Sequence, residues 1–109
     1  MMHENIRGLR ELRKKVLSDC PPQNSFWTCN GTICRNIYEL MDNIRALNDY
    51  AFKYHVNQDK HKNDFADWIR HVLDDEELAL RLQGLYDKER YIDIIQRRVW
   101  ELQDLDKEE

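Results

Sequence analysis

Apolar residues recur along most of this chain at helical spacing. In "RNIYELMDNIRAL", Ile37, Leu40, Met41, Ile44 and Leu47 fall at i, i+3, i+4, i+7 and i+10, one stripe of an amphipathic helix. Asn36 precedes the stripe and Glu39 follows at capping-box spacing. "NDYAFKYHVN" predicts a short helix capped at Asn48, and "QDKHK" a polar loop. "NDFADWIRHVL" starts with Asn63 or Asp64 as cap and buries Phe65, Trp68, Ile69 and Val72. Asp74, with Glu77 three residues on, caps a further helix lined by Leu78, Ala79, Leu82 and Leu85. A long last helix runs from about Asp87 to Leu105. Ahead of all these, Ile6, Leu9, Leu12, Val16 and Leu17 make a narrow stripe on a helix from about Glu4 to Leu17. Arg7, Arg10, Arg13, Lys14 and Lys15 cover the rest of it, and Gly8 weakens it.

One stretch breaks the helical period. "FWTCNGTIC", residues 26–34, is a short apolar run interrupted by Asn-Gly, the pair that a type I′ hairpin turn favours because both central residues take positive φ. With Asn30 and Gly31 at the corner, Cys29 faces Thr32, Thr28 faces Ile33 and Trp27 faces Cys34. Trp27, Cys29, Thr32 and Cys34 then share one face, and Phe26, Thr28 and Ile33 the other. Cys29 and Cys34 become diagonal neighbours with Cα atoms roughly 7–8 Å apart. A disulfide wants roughly 4.4–6.8 Å, so the thiols are expected to stay reduced.

These elements predict a mainly α fold: a helical domain of about five helices with one short N-terminal β-hairpin. Three glycines and two prolines in 109 residues agree with few turns. "CPPQNS" ends the first helix, since two prolines cannot continue one. The expected organisation is an N-terminal amphipathic helix (1–19), a linker (20–25), a core of hairpin and helices (26–86), and a C-terminal helix with an acidic tail (87–109). The core would draw on Phe26 or Trp27, Ile33, Ile37, Leu40, Ile44, Phe52, Phe65, Trp68, Ile69, Leu78 and Leu82. Three cysteines, an odd number, and a charged opening segment point to a reducing cytoplasm. No apolar run approaches the roughly 20 residues of a membrane-spanning helix. The formal net charge of −4 disfavours nucleic acid as a partner. Asp75, Glu76 and Glu77 add to this, because they stand where a helix-turn-helix would meet phosphates.

The aromatic-initiated hairpin, then "YEL", "FKYHVN" and "NDFADWIRHVLDDEELA", resembles a family of small prokaryotic domains of unknown function. Phe52, Tyr54, His55, Val56 and Asn57 carry the resemblance, followed by Asn63, Asp64, Phe65, Trp68 and Ile69. It spans about Phe26 to Leu82. It implies a fold unit and no activity, and Cys29 and Cys34 are not part of the pattern.

Candidate chemistry is sparse. Asp67 and His71 share a helical face at i, i+4, and Asp64 lies one turn earlier, which suits either a metal ligand set or a solvated ion pair. His55 sits near a helix end, placed to bond the last carbonyls or to reach the Asn63–Asp64 cap. Cys29 and Cys34 with His55 or His71 make the alternative reading, a metal-binding or redox module. The three glycines are isolated, which excludes a Gly-rich phosphate loop. In the last helix Ile92, Ile95, Val99 and Leu102 follow a 3-4-3 seam. The seam can pair with the first helix or with a second copy. The reading taken is a small cytoplasmic, non-enzymatic protein–protein interaction module without cofactor. It would be homodimeric through Ile92, Ile95, Val99 and Leu102.

Overall fold

A computed structural model describes residues 6–105, and the start of the first helix at Glu4 and most of the acidic tail lie outside them. The chain runs α1 (Ile6–Val16), one 3₁₀ turn (Pro22–Asn24), β1 (Phe26–Trp27), β2 (Ile33–Cys34), α2 (Ile37–Ala46) and α3 (Asp49–His55). It continues through β3 (Val56–Asn57), β4 (Lys62–Asn63), α4 (Asp64–Val72), α5 (Glu76–Leu82) and α6 (Lys88–Gln103). The fold is mainly α with an N-terminal hairpin, as expected. The described residues form six α-helices and a second antiparallel ribbon, β3–β4. None of their helices is long and apolar enough to cross a membrane.

Local capping sets the helix starts. Asn36 accepts the Glu39 N–H at 2.8 Å, Asn48 that of Ala51 at 2.8 Å, and Asn63 that of Ala66 at 3.2 Å. Glu39 does not complete the capping box on Asn36. Its carboxylate accepts the N–H of Arg35 at 2.9 Å and pairs with the Arg35 guanidinium. Asp75, not Asp74, caps α5, accepting the Leu78 N–H at 3.1 Å. Asp74 takes φ +59° just beyond α4, a left-handed position that Asp tolerates, and its carboxylate is left to pair with Lys15.

The first hairpin has a different register from the expected one. Phe26 lies opposite Cys34 and Trp27 opposite Ile33. The Gly31 N–H bonds Thr28 O at 2.9 Å and Gly31 alone takes positive φ (+88°), so the loop is Cys29-Asn30-Gly31 with a glycine bulge. The type I′ turn would also have required positive φ at Asn30. The longer loop shifts the pairing by one residue, which exchanges the faces of the second strand. Phe26, Thr28 and Cys34 therefore turn inward, while Trp27 (66 % exposed) and Ile33 (43 %) turn to solvent. Ile33 leaves the expected core for this reason.

"QDKHK" is not a plain loop. Val56 pairs with Asn63 and Asn57 with Lys62 around a four-residue turn. The turn is closed by His61 N–H to Gln58 O at 3.1 Å, with His61 at φ +51°.

One core joins these elements. Phe26 packs on Phe65 (5.1 Å between ring centroids), His55 (5.4 Å) and Trp68 (6.0 Å), and Tyr91 closes on Phe52 (5.5 Å). The segment after α1 is pinned to this core. Cys20 N–H bonds Arg35 O, Asn36 Nδ2 bonds Asp19, and Trp68 Nε1 bonds Asn24 O, each at 2.7 Å. Helix α6 packs against α1, α2 and α5, and Lys88 at its start donates to Leu47 O beyond the end of α2 at 2.7 Å.

Candidate functional site

His55 ends α3 in an aromatic nest of Phe26 and Phe65 and is buried. Its Nε2 accepts the Cys29 N–H at 3.0 Å, which requires a lone pair there. Its Nδ1 therefore carries the proton and donates to Asp64 Oδ2 at 2.9 Å. Asp64 is free for this because Asn63 caps α4 instead. A histidine–aspartate dyad resembles half of a catalytic relay, but both ring nitrogens are committed. The dyad ties hairpin tip, α3 and α4 together and leaves no nitrogen for a metal or a travelling proton.

Asn63 is the second tie. Its Oδ1 accepts from Ala66 N–H and the Tyr91 hydroxyl, and its Nδ2 donates to Leu82 O at 3.2 Å. Burial pushes the Tyr91 phenol well above its usual pKa. A third tie is the buried pair of Arg98 and Asp75, with two 2.9 Å hydrogen bonds from one guanidinium to one carboxylate. Arg98 also reaches Glu101 at 3.1 Å, and Glu101 accepts from Arg81 at 2.7 Å. Desolvation opposes ionisation of Glu101, but the bonds from Arg81 and Arg98 outweigh it and hold the carboxyl below its usual pKa.

The residues of the alternative metal or redox set do not converge. Cys29 is exposed with its sulfur 3.9 Å from Ala51 O, while Cys34 is buried with its sulfur 3.7 Å from Glu39 O. Burial, reinforced by the Glu39 charge, pushes the Cys34 thiol up to about 11, which keeps it protonated and poor as a ligand or nucleophile at neutral pH. His71 is exposed, its Nδ1 2.8 Å from the backbone carbonyl of Asp67 rather than on that residue's carboxylate. Among the described residues no group of three His, Cys, Asp or Glu side chains is placed to hold a metal ion. All three cysteines are free.

The seam of α6 is occupied within the chain. Ile95, Val99 and Leu102 are buried and Ile92 is partly buried against the same core.

What the interior does not use lies on the outer face of α3. Tyr50 and Tyr54, one turn apart, are 85 % and 54 % exposed, and Lys53 stands between them. With Asn57 and Lys60 they line a surface hollow of about 240 Å³. The Lys62 ammonium sits 4.0 Å from the centroid of the Tyr54 ring, donates to Tyr54 O at 2.7 Å and lies 3.4 Å from Asp64. Among the described residues Lys53 and Lys60 have no carboxylate partner. Sequence reasoning missed this face. Its signal was present: in "NDYAFKYHVN" two tyrosines share the side of α3 opposite the buried Phe52, where a solvated helix would carry only polar residues.

Residues 25–107 match the family of unknown function DUF5752, and the chain belongs to that family. The match reaches past the span of the resemblance and takes in α6. No curated protein and no solved structure matches the chain.

Proposed function

We propose that this protein is a non-enzymatic protein–protein interaction module whose partner-binding face is the outer side of α3 with the β3–β4 turn. The observation that carries the reading is the pair Tyr50 and Tyr54, exposed on one stripe beside Lys53 and Lys60, which have no carboxylate partner among the described residues. Tyrosine supplies large contact area at little conformational cost, which is why it is enriched at protein interfaces. The titratable groups of the interior support the non-enzymatic part. His55 has both nitrogens bonded and the Cys34 thiol is held protonated. The α6 seam is engaged by the core, so a partner is better served elsewhere.

Cross-linked capture from the protein's native lysate tests this, with wild type and the Tyr50→Ala/Tyr54→Ala variant compared side by side. A partner retained by wild type and lost with the variant is the expected result. Identical retained sets would overturn the reading.

A further inference from the structure

We infer that the hollow on the outer face of α3 takes an acidic, extended peptide segment of another protein, with carboxylates at Lys53 and Lys60 and an apolar side chain against Tyr50 and Tyr54. The inference rests on the interaction reading above and specifies its partner.

The lining chooses the chemistry. Lys53, Lys60, Asn57, Tyr50 and Tyr54 surround the hollow, and no carboxylate is among them. The two ammonium groups are donors only. Asn57 Oδ1 accepts the Lys60 N–H at 3.2 Å, and its NH₂ adds a further donor. A donor-rich hollow matches a ligand rich in acceptors, and an extended peptide brings backbone carbonyls together with its carboxylates. The nearby acids do not cancel the lysines inside it. Asp64 is held by His55 and Lys62, and Asp59 lines the adjoining hollow on the other side of Lys53. Lys62 occupies one face of the Tyr54 ring and holds it in place, which lowers the cost of ordering that ring on binding.

Size and charge favour peptide over nucleic acid. A volume of about 240 Å³ accommodates one or two side chains. A single strand needs a continuous basic track for its phosphates. Here Lys53 and Lys60 are two isolated cations, enough for one or two carboxylates and too few for a run of phosphates.

The test measures fluorescence anisotropy with the full chain and three labelled probes: a short peptide of glutamate, leucine and proline, the same peptide with glutamine for glutamate, and short oligouridylate. The glutamate peptide should bind saturably and lose affinity as salt rises. The glutamine peptide should bind about tenfold more weakly, and Lys53→Gln/Lys60→Gln should weaken the glutamate peptide by a similar factor. Both lysines are exposed, so circular dichroism of that variant should match wild type. Equal binding of the two peptides, or no saturable binding of the glutamate peptide, would overturn the inference. So would tighter binding of oligouridylate that the same lysine substitutions abolish. If these peptides fail while Tyr50→Ala/Tyr54→Ala still loses a captured partner, the acidic occupant is wrong and the interaction reading stands. If capture is also indifferent to the tyrosines, both fall.

Discussion

Tyr54 and His55 are neighbours at the end of one short helix, and they meet opposite surroundings. His55 turns inward, and every polar atom of its ring has a partner within the chain. Tyr54 turns outward and is more than half exposed, its ring 5.1 Å from that of His55 and beside Lys53 and Lys60, which have no carboxylate partner among the described residues. The same contrast divides the molecule. Inside, Asn63, Tyr91, Asp75 and Arg98 are consumed in tying helix to helix, because a buried polar group left unpaired costs about 1–3 kcal/mol. Outside, the α3 face holds aromatic area and charge that the fold does not need. A side chain the fold has used up is a poor candidate for function, and one it has not used is a better one.

Substitutions on the inner side should be severe. The largest effect is expected for Ile95→Glu, which places a charge at a fully buried position of α6, at a cost of several kcal/mol. The variant should lose its cooperative unfolding transition by circular dichroism. A folded monomer from a wild-type dimer would instead show that Ile95 serves a contact between chains. Trp68→Ala should cost roughly 3–5 kcal/mol, since it removes the packing on Phe26 and the bond to Asn24 O. Denaturant melts measure this, and a wild-type midpoint would place Trp68 among the unused residues.

The Cys34 thiol gives a pH signature of the same interior. Its folded pKa of about 11 lies above the usual 9.0, so the folded state holds the proton more tightly than the unfolded one. The resulting stability is complete below about pH 9 and is lost as pH rises to about 11. Two units correspond to ~2–3 kcal/mol. Unfolding free energies at pH 8 and pH 10.5 should fall by this order in wild type and by less in Cys34→Ala. The two proteins share the alkaline response of Tyr91, so the difference between them isolates the thiol. His55→Ala should cost ~1–3 kcal/mol by orphaning the Cys29 N–H and leaving Asp64 to Lys62 alone. It should also speed amide exchange at Cys29, which hydrogen-exchange NMR reads directly.

The sequence was legible where the causes are local. Asn36 and Asn48 cap the helices their spacing predicts, because a cap is decided within three residues. The reach of His55 to Asp64 was one of two readings the sequence left open, the other being the last carbonyls of α3. The second bond of His55 was not legible, because the donor is a backbone N–H 26 residues away that no side-chain pattern announces. Asn30-Gly31 located the first turn without fixing its register, since Asn-Gly fits both a two-residue loop and a three-residue loop in which only Gly31 is left-handed. The β3–β4 ribbon has two-residue strands, too short to alternate, and its turn places His61 where glycine is usual. The seam of α6 was visible as an apolar stripe, but a stripe does not state what covers it. Of the two tyrosines of α3, Tyr54 entered only through the family resemblance and Tyr50 not at all, because a seven-residue helix is too short for its apolar pattern to separate a core face from an exposed one.

The outer face of α3 contributes little to folding beyond the Tyr54 ring contacts to Lys62 and His55. The most direct measurement is the urea unfolding free energy of Tyr50→Ala/Tyr54→Ala against wild type. A loss of about 1 kcal/mol is expected, the scale of the two exposed ring contacts removed, Lys62 over Tyr54 and Tyr54 on the His55 ring at 5.1 Å. A loss of ~2 kcal/mol or more would make both tyrosines part of the fold and contradict the division drawn between the two faces.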